Sequence, residues 1–250
     1  MSTSYAHLKV ENKVGYIEFY NPSHNALPAA MLATLVELIE AASVDPSIAV
    51  IVLKSGGDRT FCAGASFEEL IAISNPVEGA EFFEGFANVI NALRNCPKIT
   101  IGRVQGKAVG GGVGLAAATD YCMAITHSEI KLSELTIGIG PFVIEPAVTR
   151  KIGLSAMSQL SLEASAFFSA QWAQEKGLYM KVCPSQDTLD AEVKLLVEQL
   201  CEYNPEALQK LKETFWEGTE HWGKLLQDRA AISGRLVLSD FTKTQLKKYK

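Results

Sequence analysis

Apolar and polar side chains alternate from Tyr5 to Val10 and again from Val14 to Tyr20, on either side of Glu11-Asn12-Lys13. A period of two sends one set of side chains to a buried face, so the two runs predict a β-hairpin. Asn21-Pro22-Ser23-His24-Asn25 reads as a turn, because proline presets φ and Asx side chains bond their own backbone. Behind Pro28, the residues Met31, Leu32, Leu35, Leu38 and Ile39 recur at helical spacing until Asp45-Pro46 breaks the run.

Two short apolar runs, Ala49 to Leu53 and Ile99 to Val104, have the look of buried strands, and Tyr121 to Ile125 reads as a further strand. Ser66 and Glu69 form a capping box ahead of a helix, and a longer helix spans Val77 to Arg94 before Cys96-Pro97 ends it. After Gly153 the texture changes. From Ala156 onward the segments are mainly amphipathic helices, interrupted at Pro184 and at Asn204-Pro205. With no internal repeat and no low-complexity linker, this alternation predicts an α/β core over 1–195 and a helical region over 196–250.

Composition narrows the function classes. The 250 residues are 48% hydrophobic and 20% charged, a globular balance that excludes wholesale disorder. A net charge of −5 provides no basic face for a phosphate backbone, so no nucleic-acid partner is expected; Lys243 to Lys250 is only a short basic tail. No apolar run reaches the ~18 residues of a spanning helix, and Met1 to Glu11 holds no apolar export core. The expectation is a cytoplasmic protein with no membrane partner. Cys62, Cys96, Cys122, Cys183 and Cys201 are odd in number, widely spaced and without a CxxC, which points to free thiols in a reducing compartment and to no metal.

The candidate chemistry begins at Gly110-Gly111-Gly112-Val113-Gly114, which follows a strand and opens a small-residue helix. Residues without Cβ expose backbone N–H groups, and a helix N-terminus adds partial positive charge. That combination suits a phosphate or a developing oxyanion, and equally suits tight helix packing. Neither dinucleotide nor P-loop spacing is present. Ala63-Gly64-Ala65 is a second loop of this kind, and together the two read as an oxyanion hole without a nucleophile. Ser66 lacks the second glycine of a nucleophile elbow. None of His7, His24, His127 and His221 has an evident acid partner beside these loops. Glu134, just before the turn at Gly138-Ile139-Gly140-Pro141, is either a half-buried general base or a surface residue. Asp120 reads as structural.

Asn21-Pro22-x-x-Asn25-Ala26-Leu27, Phe61-Cys62-Ala63-Gly64-Ala65, Val104-Gln105-Gly106-Lys107-Ala108-Val109-Gly110-Gly111-Gly112 and Ser133-Glu134 before Gly138 are collinear. In that order they resemble the crotonase (enoyl-CoA hydratase/isomerase) family along essentially the whole chain. The resemblance implies a spiral of ββα turns with a helical C-terminal trimerisation region, assembled as a homotrimer or a dimer of trimers. It implies an acyl-CoA substrate, with coenzyme A as part of that substrate and no separate cofactor. Ala65 and Gly111 would donate two N–H groups to a thioester carbonyl. His24, Ala26 and Ala63 would lie near the nucleotide and pantetheine, and Phe241 and Lys243 would help close a neighbour's site.

One departure bears on the reaction. Where hydratases of the family carry a second glutamate, this chain has Gly114. Bond migration needs one base, whereas water addition wants a second group to handle water. Phe142-Val143-Ile144 is bulky beside the turn and would keep water out. An isomerase with Glu134 as single acid/base is therefore the preferred reading. A hydratase or decarboxylase on a branched acyl-CoA, with Glu145 standing in for the missing acid, is the alternative. Glu145 also suits the start of a helix as a simple terminal charge. A third reading is a non-catalytic crotonase-like binding or scaffold protein; RNA association is one form of it, against which the net charge of −5 argues.

Overall fold

The structure is a computed structural model and describes residues 3–249, so Lys250, the last residue of the basic tail, lies outside the described residues. Strands β1 (Tyr5–Glu11) and β2 (Val14–Tyr20) form the hairpin, in register from Tyr5 opposite Tyr20 to Glu11 opposite Val14. Its turn places Asn12 and Lys13 at φ 49° and 66°, the left-handed pair that a two-residue hairpin requires. From β2 the sheet grows by parallel pairing through β3 (Val50–Ser55), β5 (Ile99–Val104), β7 (Tyr121–Ile125) and β9 (Lys181–Cys183).

A second, three-stranded sheet consists of β4 (Thr60–Cys62), β6 (Lys107–Val109) and β8 (Ile130–Lys131). Each of its strands directly follows one strand of the large sheet, and each then leads to a helix, so the chain winds as repeated ββα turns. The helices of these turns are α2 (Phe67–Ala72), α3 (Pro76–Asn95), α4 (Gly111–Ala118) and α5 (Glu145–Leu162), joined by α1 (Ala29–Val44) between β2 and β3. The β3 side chains alternate between two apolar layers. Ile51 and Leu53 join Leu35, Ile39, Ile90 and Leu93 in the main core. Val50 and Val52 face Leu189, Val193 and Val197 of α7 (Gln186–Cys201) on the other side. Burial on both faces is why these strands read as continuous apolar runs.

Two local expectations change. Ser66 Oγ does accept from the Glu69 N–H at 3.3 Å, but the Glu69 carboxylate accepts instead from the Ala29 N–H at 2.9 Å. The capping box is thus half made, and its second arm ties α2 to the start of α1. The boundary expected at residue 195 falls inside α7, so the covering helical layer begins before it. Gly153, where the texture of the sequence shifts, sits at φ 75° and kinks α5.

Beyond α6 (Ala170–Glu175) and α7 come α8 (Pro205–Phe215), α9 (Trp222–Leu236) and α10 (Asp240–Leu246). Lys212 anchors α8 to the core. Its buried Nζ lies 2.9 Å from Asp120 Oδ2 and donates to the carbonyls of Leu93 and Lys98 at 2.9 and 2.8 Å. Asp120 further accepts from the Thr100 N–H and from Trp216 Nε1, both at 2.7 Å, which satisfies it as a structural carboxylate. Helix α9 crosses α3 backbone to backbone at Gly79 and Gly234. A Cβ on Gly79 would lie 2.6 Å from the Gly234 carbonyl oxygen, and one on Gly234 would lie 2.4 Å from the Ala80 nitrogen. Only glycine permits that approach.

Candidate active site

Two loops of the small sheet meet at its end. Strand β4 runs into Ala63-Gly64-Ala65, which is held as a strand-like bridge to Leu27. The Leu27 N–H donates to the Gly64 carbonyl at 2.8 Å and the Ser66 N–H donates to the Leu27 carbonyl at 3.1 Å. This pattern turns the intervening Ala65 N–H away from Leu27. Strand β6 runs into Gly110, whose φ of 54° and ψ of −121° no L-residue adopts readily. The Gly110 N–H donates to the Lys131 carbonyl at 2.9 Å, and Gly111 then opens α4 as its first residue. Among the described residues, the N–H groups of Ala65 and Gly111 have no acceptor.

Glycine allows the loops to touch. A Cβ on Gly64 would lie 3.1 Å from the Val109 carbonyl oxygen and 3.5 Å from the Gly111 nitrogen. A Cβ on Gly112 would lie 2.4 Å from the Cys62 carbonyl oxygen. Cys62 is fully buried and its Sγ accepts the Gly64 N–H at 3.4 Å. The outcome is a pair of unengaged N–H donors on adjoining loops, one of them at a helix N-terminus.

Glu134 begins a single 3₁₀ turn, Glu134–Ile137, that follows β8 and closes at Gly138 with φ 86°. Its carboxylate comes back against the glycine loop, and a Cβ on Gly110 would lie 3.0 Å from Glu134 Oε1. Glu134 Oε2 is enclosed and has no hydrogen-bond partner among the described residues. Burial pushes the carboxyl up from 4.5 to about 7, and the Glu134 backbone N–H pulls the other way more weakly. A carboxyl poised near neutrality is equally ready to take a proton and to return it.

Both loops and Glu134 line one cavity of about 150 Å³. Its walls are apolar and rich in phenylalanine: Phe82, Phe83 and Phe86 of α3, with Phe142 and Ile144 opposite. Phe86 seats on Gly111, where a Cβ would lie 2.3 Å from Phe86 Cε1. Ile144 fills the space beside Gly114, where a Cβ would lie 2.4 Å from Ile144 Cγ2. A larger residue at position 114 would therefore collide with Ile144.

Of the residues singled out in the sequence, Ala63, Ala65, Gly111, Glu134 and Phe142 come together around this cavity. Glu145 does not line it. Its carboxylate accepts from Thr149 Oγ1 at 2.6 Å and lies 3.8 Å from Arg229 Nη2, so the stand-in acid is turned to other partners. His24, at φ 56°, is exposed and Ala26 is half-buried, both outside the cavity lining. Phe241 lies outside the lining and is 59% exposed, with its ring edge against Gly138, where a Cβ would lie 2.5 Å from Phe241 Cδ1. Lys243 is exposed on α10, outside the lining. Ser233 of α9 also lines the cavity and was not foreseen. Only the close α3–α9 crossing brings it there, and no local pattern announces that crossing.

Among the described residues, no group of three or more His, Cys, Asp or Glu is placed to hold a metal, and no helix is long and apolar enough to cross a membrane. All five thiols are free.

A family model described as enoyl-CoA hydratase/isomerase matches residues 9–248. Among similar proteins is the 2,3-dehydroadipyl-CoA hydratase of Escherichia coli K12, 32% identical over 199 residues, or 79% of this chain and 76% of the relative. Among solved structures, an enoyl-CoA hydratase from Bacillus halodurans superposes with a TM-score of 0.90 at 24% identity, covering 98% of this chain and all of that one. One from Mycobacterium avium gives 0.85 at 25% identity, covering 98% and 95%.

Proposed function

The chain belongs to the enoyl-CoA hydratase/isomerase family, and we propose that within it this protein moves a carbon–carbon double bond in an acyl-CoA thioester, with Glu134 as its single acid and base. The observation that carries this reading is one unpartnered carboxylate in a mainly apolar cavity whose lining includes Ala65 and Gly111, the residues that bear the two free N–H groups. The Ala65 and Gly111 amides take the thioester oxygen. Glu134 removes the C2 proton of a 3-enoyl thioester, and the electron pair delocalises through the carbonyl and the double bond as a dienolate held by those amides. Glu134 returns the proton at C4, which leaves the double bond between C2 and C3, conjugated with the carbonyl. Each proton removed is a proton returned, so no second carboxylate is needed.

The surroundings of Gly114 support the same choice. Ile144 occupies the room beside Gly114, so no second acid at that position is available to orient a nucleophilic water. In this proposal Ala63, which lines the cavity, contacts the pantetheine, and His24 and Ala26, outside that lining, lie toward the nucleotide. Assembly as a trimer or a pair of trimers belongs to this proposal too.

A second reading, water addition across a 2-enoyl thioester, draws on the Escherichia coli relative, which is named a hydratase. The deciding experiment gives the purified protein 3-enoyl-CoA and 2-enoyl-CoA in parallel and follows products by mass spectrometry. Conversion of the 3-enoyl thioester without gain of water, reduced about 10²-fold or more by Glu134→Gln, supports migration. A product heavier by one water from the 2-enoyl thioester, at a rate exceeding migration, overturns it in favour of hydration. Migration that survives Glu134→Gln intact removes Glu134 from the reaction.

A further inference from the structure

We propose that Asn25 is a positioning residue for the donor pair: its buried carboxamide sets the direction of the Ala65 N–H, and with it the polarisation of a bound thioester carbonyl. This deepens the acyl-CoA reading above and rests on it.

Asn25 is 3% exposed and lies at φ 55°, directly behind His24 at φ 56°. Left-handed backbone is uncommon outside glycine, and asparagine is among the side chains that tolerate it. Local bonds account for the turn itself. The Asn25 N–H donates to the Asn21 carbonyl at 2.8 Å, the Ala26 N–H donates to the Ser23 carbonyl at 3.0 Å, and Asn25 Oδ1 accepts from the Asn21 N–H at 2.8 Å.

Asn25 Nδ2 makes two bonds that the turn does not need. It donates to the Gly56 carbonyl at 2.9 Å and to the Thr60 carbonyl at 2.8 Å, 31 and 35 positions along the chain. Those carbonyls flank the crossover from β3 to β4, and Thr60 is the first residue of β4. A carboxamide whose oxygen and both N–H donors are engaged has one orientation, so the turn and the crossover are held at a fixed offset.

The two segments joined in this way are the two that aim Ala65. Strand β4 delivers Ala63-Gly64-Ala65, and Leu27, two residues after Asn25, brackets Ala65 through its bonds to Gly64 and Ser66. A slip of the turn against β4 would rotate the Ala65 peptide between them. From the other side, the fully buried Gln105 donates through Nε2 to Ser55 Oγ at 2.8 Å and to the Gly57 carbonyl at 3.2 Å, and Lys107 of β6 pairs with Thr60. The crossover is thus a common footing for both donor loops, and Asn25 attaches it to the Leu27 brace. Because a hydrogen bond weakens steeply off axis, a misdirected Ala65 N–H would polarise the carbonyl less.

The test reads that carbonyl directly. Hexanoyl-CoA, isotope-labelled at its carbonyl carbon and saturated, so that no double bond can move, is bound to the full chain at saturating concentration. Its C=O stretch is recorded by infrared difference spectroscopy in the wild type, Asn25→Gly and Asn25→Asp. Glycine keeps the left-handed backbone and removes the carboxamide, while aspartate keeps an acceptor for the Asn21 N–H and loses both donors. The wild type is expected to lower the stretching frequency relative to the thioester in water. Both variants should retain less than about half of that shift, with kcat on saturating 3-enoyl-CoA reduced roughly 10-fold or more. Saturation keeps any change in affinity through His24 or Ala26 out of the reading. As a control for stability alone, Asn204→Ala, which removes the cap of α8 outside the cavity lining, should lower the urea midpoint and leave the stretch unmoved.

A folded Asn25→Gly or Asn25→Asp that keeps the full wild-type shift overturns the proposal, whatever its turnover. Loss of the fold in both variants makes Asn25 a folding residue and overturns it as well. A wild type that binds no thioester, or binds it without any shift, overturns the donor pair itself and the acyl-CoA reading on which this inference rests.

Discussion

Glu134 has the features of a residue kept for reactivity at a cost to folding. Its Oε2 is enclosed without a partner, and its folded-state value near 7 lies above the 4.5 of an exposed glutamate. Between those values the folded chain holds a proton that the unfolded chain has released, so stability falls as the pH rises from about 4.5 through about 7 and stays reduced above it. A shift of that size corresponds to about 3 kcal/mol. Glu134→Gln removes the ionisation, so in urea titrations this variant should gain up to about 3 kcal/mol over the wild type at alkaline pH and almost nothing at pH 4. Activity runs the other way. The reactive species is the carboxylate, so kcat/KM for a 3-enoyl thioester is expected to rise with pH through an apparent value near 7. A profile already flat above pH 5 would mean that the carboxyl is not held up by its surroundings.

At the scale of elements, the crossing of α3 and α9 decides the shape of the cavity. Gly79→Ala would drive a methyl group into the Gly234 backbone, which neither helix can relieve by rotating a side chain. Overpacking of this kind costs about 1–3 kcal/mol, to be seen as a lower urea midpoint, and should weaken thioester binding by displacing Phe82, Phe83 and Ser233 together. Unchanged stability would show that the helices have room to part. The same contrast explains what could be read in the chain. The hairpin was legible because alternation is a local signal, and β3, β5 and β7 because burial on both faces leaves continuous apolar runs. The β9 strand, Lys181–Cys183, has three residues and no pattern of its own. The loops at Gly64 and Gly110 announced themselves through glycine, since each needs a positive φ. Glu134 was legible as a carboxylate before a turn, but the paired state of Glu145 was not, because its partner Arg229 lies on a helix far along the chain. Ser233 stayed hidden for the same reason.

Across the whole molecule, the spiral of ββα turns carries both glycine loops and Glu134, while among the described residues only α9, of the helices after α7, reaches the cavity, through Ser233. Lys212, bonded to Asp120 and to two core carbonyls, fixes α8 in place. Helix α9 then lies along α3, and Phe241 of α10 seats on Gly138 beside the turn that bears Glu134. Phe241 remains 59% exposed there, so its outer face is open to a neighbouring chain. Light scattering on the purified protein is expected to give three or six times the mass of one chain. A monomer that retains thioester binding would count against the assembly proposal while leaving the site intact.

The order in which these parts are made has its own consequence. Both donor loops and the carboxylate are translated well before α9, so a nascent chain holds its reactive groups while the phenylalanine face of α3 still lies open to solvent. A chain ended before Trp222 would contain both glycine loops and Glu134 but lack Ser233, so the cavity's α9 side is the last part of the site to be synthesised.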